Sequence, residues 1–298
     1  MSGSEPVGGE VAATAEVTAA ELLDRLTTRF ARAGIASPRA DARWLVRHAL
    51  GWSAAELALA GGRTLSDEQL RAVQTLADRR AAREPLQLVL GGTSVRGHPL
   101  TLRAGVFIPR PETELLVDLV LAAVPSGGRV VETCSGSGAI ACAVAAERPD
   151  AQVMAIDRDQ AAVELTSANA AALGVRVAVL RGELLEPVPP ELRGHVDVVV
   201  ANPPYLAAGD IADVEPEVGE WDPPAALIAG PTGHEVSDAL IASAPPCLTP
   251  GGRLLLELDE RRVSEAAARA ERAGLVAVQT HEDLAGRPRF LSARRPPA

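Results

Sequence analysis

At 298 residues the chain has room for one large α/β domain and a smaller one, and 47% hydrophobic with 23% charged residues is the composition of an ordinary soluble globular protein. The net charge of -10 sits wholly beyond residue 90, because acidic and basic side chains balance before it, and an acidic body of this kind disfavours a phosphate backbone as main substrate. Three cysteines, Cys134, Cys142 and Cys247, are odd in number and lack metal-type spacing, which excludes a disulfide framework or zinc site as the expectation and fits a reducing cytosol.

Residues 1–15 are rich in Gly, Ser, Ala and Glu, with neither a cationic segment nor an apolar core, and read as a disordered tail rather than a signal peptide. No apolar run approaches the length of a membrane span. From residue 16 to 84 the pattern is helical. Leu22, Leu26 and Phe30 recur every four residues behind a Thr18/Glu21 capping box, Ser37-Pro38 opens a second helix carrying Trp44, Leu45 and His48, Ser53 opens a short third, and Ser66-Asp67 caps a fourth. A small bundle is expected, with His48 and the tryptophans filling core and interface.

Over 85–107 the period changes, and Gly91-Gly92 and Gly97-His98-Pro99 mark a β-hairpin linker. Next, in Ile108-Pro109-Arg110-Pro111-Glu112-Thr113-Glu114, two prolines hold the backbone extended before a helix that begins near Glu112. The remainder, 108–298, alternates strand and helix. Apolar runs at 129–133, 152–156, 175–180, 196–201 and 253–258, joined by amphipathic helices, predict a mostly parallel sheet covered on both faces, and 275–279 with 290–292 would add an antiparallel pair.

Two strand ends carry chemistry. The first strand runs into Glu132-Thr133-Cys134-Ser135-Gly136-Ser137-Gly138 and then a helix, so glycines open bare backbone to a ligand. The next strand ends in Asp157, where a ribose diol is commonly held. A dinucleotide fingerprint would require glycine at 134 or 141, which are Cys134 and Ala141, and Glu132 suits a cationic group better than a pyrophosphate. The fourth strand ends in Asn202-Pro203-Pro204-Tyr205, whose tyrosine is the only one in a chain with 2% aromatic residues. An acidic strand end, a short glycine loop, a ribose-type aspartate and this tetrapeptide together describe a site for S-adenosylmethionine.

With these motifs, and with Glu84-Pro85-Leu86-Gln87, Asn169, Pro250-Gly251-Gly252, Leu256-Glu257 and Asp283-Leu284-Ala285-Gly286-Arg287, the chain resembles the HemK-type protein-(glutamine-N5) methyltransferases. The resemblance implies a Rossmann-like seven-stranded methyltransferase domain behind a helical bundle that serves substrate recognition. It implies methylation of the glutamine in the Gly-Gly-Gln motif of peptide chain release factors. The cofactor would rest on Glu132, Cys134, Ser135, Gly136, Ser137, Gly138, Asp157, Glu183, Leu184 and Asn202. The acceptor amide would be clamped by Asn202, Pro203, Pro204 and Tyr205, the side-chain oxygen of Asn202 and the carbonyl of Pro203 accepting from its two N–H groups. Pro109 to Glu114 would close over the cofactor. Here Glu132 and Cys134 stand where the family carries Asp and Gly, Glu183 replaces an Asp, Asp222-Pro223 replaces Glu-Pro and Leu258-Asp259 replaces Ile-Gly. These departures leave a paralogue with a small-molecule or peptide acceptor as one alternative and an adenine-N6 methyltransferase as another. The loop Asp210 to Asp222 carries six acidic residues and no basic one, and reads either as a solvated loop or as a rim for a basic partner. Direct nucleic-acid contact and membrane attachment are not expected, and the protein is expected to be a cytoplasmic monomer.

Overall fold

Three helix starts in the first part of the chain carry reciprocal caps, in which a hydroxyl accepts from the third residue's N–H and that residue's side chain accepts from the cap's own N–H. These are Thr18 with Glu21, Ser53 with Glu56 and Ser66 with Gln69, and they begin α1 (Ala19–Arg32), α3 (Ala54–Leu59) and α4 (Asp67–Ala81). The helix α2 (Pro38–Leu50) starts instead on a proline, whose fixed φ suits the first turn, and stops at Gly51 in the left-handed conformation. The structure, a computed structural model, describes residues 16–298, so the tail expected over 1–15 lies outside the described residues. Two units divide at Leu90 and Gly91.

In the first unit Leu22, Leu26 and Phe30 of α1 pack with Leu45, Val46, Val73 and Ala77. Arg80 of α4 reaches Asp41 of α2 at 2.8 Å, a nearly buried pair that ties the two helices. Trp44 and His48 depart from the expected core filling. Ala42, Leu45 and Val46 take the inward stripe of α2, which turns Trp44 outward to 53% exposure, where the Arg47 guanidinium lies 4.6 Å from its ring centre. His48 is likewise exposed, whereas Trp52 packs against the core.

The second unit opens with the hairpin Gly92–Val95 and His98–Thr101. Its sheet has seven strands: β1 (Arg129–Thr133), β2 (Gln152–Asp157), β3 (Val177–Arg181), β4 (Val196–Ala201), β5 (Leu248–Glu257), β6 (Val276–Glu282) and β7 (Pro288–Arg294). Their order is β6-β7-β5-β4-β1-β2-β3; β1 to β5 run parallel, and β7 enters antiparallel between β5 and β6. Alternation along the strands feeds two cores. Val130, Val198 and Val200 face the helices α5 (Thr113–Ala123) and α6 (Ala139–Glu147), and Val131 and Val199 face α8 (Glu235–Cys247) and α9 (Val263–Arg272). The helix α7 (Gln160–Leu173) follows β2 and ends at Gly174 in the left-handed conformation. β5 starts at Leu248, ahead of the expected 253. The strand runs through Pro250-Gly251-Gly252 with a bulge: Val196 pairs with Leu248 and Val198 with Arg253.

Candidate active site

One row across the sheet sets the level of the site. Ile156, Thr133, Ala201 and Leu256 are successive register partners on β2, β1, β4 and β5. The residues that follow them, Asp157, Cys134, Asn202 and Glu257, therefore stand at one level at the sheet's carboxyl edge, Asp157 and Glu257 as the last residues of β2 and β5 and Cys134 and Asn202 just beyond β1 and β4, where open α/β sheets bind ligands. A cavity of about 380 Å³ lies there, and Cys134, Gly136, Asp157, Glu183, Leu184, Asn202 and Pro204 contribute to its wall. That size falls within the roughly 300–1,000 Å³ of small-molecule sites.

The glycine loop alternates handedness to make its turn. Cys134, Gly136 and Gly138 have φ of 57°, 55° and 76°. Gly138 is required twice over, since a Cβ there would stand 2.7 Å from the Thr166 methyl in addition to its left-handed backbone. Asp157 accepts from Gly136 N and Asp159 N, both at 2.9 Å, which orients its carboxylate beside the loop and leaves lone pairs towards the cavity. Ser135 N donates to Ile156 O and Gly182 N to Asp157 O, so the three loops are stitched at their bases.

Of the other expected cofactor residues, Ser135 and Ser137 are buried beneath the loop: the Ser135 hydroxyl lies beside Thr166, and the Ser137 carbonyl accepts from the Asn169 amide at 2.9 Å. Glu132 is also away from the cavity wall. It accepts from Ala141 N at 2.8 Å and so anchors the first turn of α6 from inside the core. Burial pushes its carboxyl up to about 8, the neighbouring Asp157 adding to the rise, and burial likewise raises Asp157. Glu132 is therefore largely protonated at neutral pH and acts as a structural anchor, whereas Asp157, on the cavity wall and in no ion pair among the described residues, is the acid placed to meet a ligand. Cys134 is half-buried, and desolvation pushes its thiol up to about 12, which leaves it unreactive.

Asn202 and Pro204 reach the cavity wall, whereas Pro203 is buried and the Tyr205 ring lies outside the wall. Tyr205 N donates to Leu227 O at 3.2 Å, and the short parallel ladder of Leu206–Ala207 with Ile228–Gly230 holds the tetrapeptide from behind. The ring faces the Arg289 guanidinium, 5.7 Å from its centre. Glu257 is wholly buried; its Oε2 accepts from the Thr113 hydroxyl at 2.9 Å, and Asn202 Nδ2 stands 3.5 Å from that same hydroxyl. Burial raises the Glu257 carboxyl to about 7.

The run from Ile108 to Glu114 is pinned at nearly every residue. Ile108 N and the Arg110 guanidinium both donate to buried Asp222, Glu112 accepts from Arg287 at 3.0 Å, Thr113 donates to Glu257, and Glu114 accepts from Arg96 N at 2.8 Å. Sequence reasoning marked this run and named Asp222, Glu257 and Arg287 separately, but did not pair them with it, since they stand up to 175 positions away. Two acids of the loop from Asp210 to Asp222 are likewise turned inward, Asp210 by Arg261 and Arg262 and Asp222 by Arg110. That departs from a uniformly solvated acidic loop or rim.

A seven-stranded sheet with its last strand antiparallel, a glycine loop after the first strand and Asn-Pro-Pro-Tyr after the fourth define a Rossmann-like methyltransferase, and a methyltransferase from Pyrococcus furiosus shares the fold, with a TM-score of 0.52 at 18% identity over 76% of this chain and 98% of that one. Residues 21–91 match the PrmC N-terminal domain and residues 103–215 the methyltransferase small domain. The release factor glutamine methyltransferase of Deinococcus radiodurans is 41% identical over 92% of this chain and 98% of its own length, and that of Mycolicibacterium smegmatis is 40% identical over 92% and 96%. The chain belongs to the release factor glutamine methyltransferase family.

Proposed function

We propose that this protein transfers a methyl group from S-adenosylmethionine to the N5 side-chain nitrogen of the glutamine in the Gly-Gly-Gln motif of peptide chain release factors, acting in the cytoplasm as a monomer. The observation that carries the reading is the placement of Asn202 and Pro204 on the wall of the same cavity as Cys134, Gly136 and Asp157. Membership of the family supports the acceptor, and the left-handed glycine loop with Asp157 beside it on the cavity wall supports a nucleoside-containing cofactor.

Bound S-adenosylmethionine supplies an electrophilic methyl carbon on a sulfonium leaving group. The backbone from Cys134 to Gly138 holds the amino-acid portion, Asp157 accepts from the ribose hydroxyls, and Glu183 and Leu184 flank the base. A glutamine amide is a weak nucleophile, because its nitrogen lone pair is delocalised into the carbonyl. Asn202 Oδ1 and the Pro203 carbonyl accept from its two N–H groups, which fixes the nitrogen in line and raises its electron density. Tyr205 closes the acceptor side against water. With the cofactor held by these residues, its methyl group would pass to the nitrogen that Asn202 and Pro203 fix, the sulfur would leave as a thioether, and the proton released from that nitrogen would depart after transfer.

The test is transfer of labelled methyl to purified release factor, to its Gln→Ala variant and to duplex DNA. Label on the wild-type factor alone is expected, and Asn202→Ala should lower the rate at least about 100-fold, the cost of misplacing a reacting group. Label on the Gln→Ala factor or on DNA would overturn the acceptor assignment. Asp157→Ala should weaken cofactor binding about tenfold or more by calorimetry, since hydrogen bonds to a charged group are worth about 1.5–3 kcal/mol.

A further inference from the structure

We infer that Thr113 and Glu257 are positioning residues that orient the Asn202 amide with its oxygen towards the acceptor. The inference rests on the acceptor reading above and deepens it. Three elements meet at this point: Asn202 follows β4, Glu257 ends β5 on the adjacent strand, and Thr113 is the first residue of α5.

Proton counting fixes the direction of the chain. A threonine hydroxyl has one hydrogen and two lone pairs, whereas a carboxylate can only accept. The Thr113 hydrogen therefore goes to Glu257 Oε2, at 2.9 Å, and its oxygen is left to accept from Asn202 Nδ2, at 3.5 Å. A reversed amide would set Asn202 Oδ1 against the lone pairs of Thr113, acceptor against acceptor. With nitrogen held on the Thr113 side, Oδ1 is the atom presented to the cavity, and only an oxygen there can receive an acceptor N–H. Arg289, 3.7 Å from Glu257 Oε1, opposes part of the burial that raises this carboxyl to about 7, so the charged form that this direction needs prevails above that pH.

Helix capping does not account for the pair. The cap residue of α5 is Glu112, whose side chain makes no capping hydrogen bond. Glu257 is fully buried and its Oε1 has no hydrogen-bond partner, so a well-packed apolar residue would serve the core better. A buried carboxylate aimed at a hydroxyl that faces the acceptor asparagine is instead explained by what the hydroxyl must do.

The experiment measures kcat, KM for release factor and the cofactor dissociation constant for Thr113→Val, Thr113→Ser, Glu257→Gln and Glu257→Leu, with circular dichroism for folding. Thr113→Val is expected to lose about 100-fold in kcat while cofactor affinity is unchanged, as a misoriented reacting group demands. Thr113→Ser, which keeps both hydrogen bonds, should return to within about threefold of wild type. Glu257→Gln keeps an acceptor oxygen and should exceed Glu257→Leu by about tenfold or more. Thr113→Val turning over like wild type, or Thr113→Ser no better than Thr113→Val, overturns the inference. So does Glu257→Gln as inactive as Glu257→Leu, which would mark a proton-transfer role; this comparison stands even if Thr113→Val fails to fold. Wild type that leaves release factor unlabelled defeats the acceptor reading, and the relay falls with it. Equal labelling by wild type and Thr113→Val defeats the relay alone.

Discussion

Gly138 and Gly174 share a left-handed backbone, with φ of 76° and 67°, but only Gly138 has the Thr166 side chain where a Cβ would go. Gly174→Ala therefore reads the backbone cost alone, of the order of 1 kcal/mol, whereas Gly138→Ala adds a steric clash and should cost about 2–4 kcal/mol in urea unfolding. The glycine loop was legible in the sequence because a run of Gly and Ser after an apolar strand has few other uses. Glu132 was not. An acid at a strand tip reads as a ligand for the cofactor, and only the fold shows the carboxyl turned inward to Ala141 N. Thr113 and Glu257 escaped for a related reason: their significance is a mutual distance, and 144 positions separate them in the chain.

At the scale of elements, the segment before α5 acts as a seam between distant loops. The Asp222 side chain is wholly buried and Arg110 covers it. Arg110→Ala leaves that carboxylate unpaired and should destabilise the second unit by about 3–5 kcal/mol, while adding Asp222→Asn should recover much of the loss. In the bundle, Ser66→Ala removes one half of a capping box and should cost about 1 kcal/mol, measured as a lowered unfolding midpoint of the first unit. Helices and buried strands were legible because their periods and caps are local. The extended start of β5 was not, because Pro250-Gly251-Gly252 carries turn chemistry and the pairing of Leu248 with Val196 overrides it. Trp44 was misread because composition favours burying an aromatic, whereas the inward stripe of α2 was already filled by smaller residues.

For the whole molecule, the two buried acids set the response to pH. Glu132 rises from an ordinary 4.5 to about 8 and Glu257 from 4.5 to about 7, both chiefly by burial. A carboxyl whose folded value is raised favours the folded state fully below its unfolded value and loses that contribution as pH climbs through the folded value. Stability of the second unit should therefore decline between about pH 5 and pH 8, by several kcal/mol in all. Urea titrations across that range test it, and Glu132→Gln should flatten the slope; a stability that rises with pH would refute the assignment.

The register row shared by Ile156, Thr133, Ala201 and Leu256 has a consequence for how such a chain can change over time. Because the side-chain period of a strand is two residues and its rise about 3.3 Å, deleting one residue inside β4 would swing Asn202 to the opposite face and shift it by nearly a full atom-pair contact. Insertions beyond the row, in the loops that leave it, alter what is admitted without altering where the reacting groups stand. Lineages descended from this scaffold are thus free to vary loop length and acceptor, while strand length is held fixed.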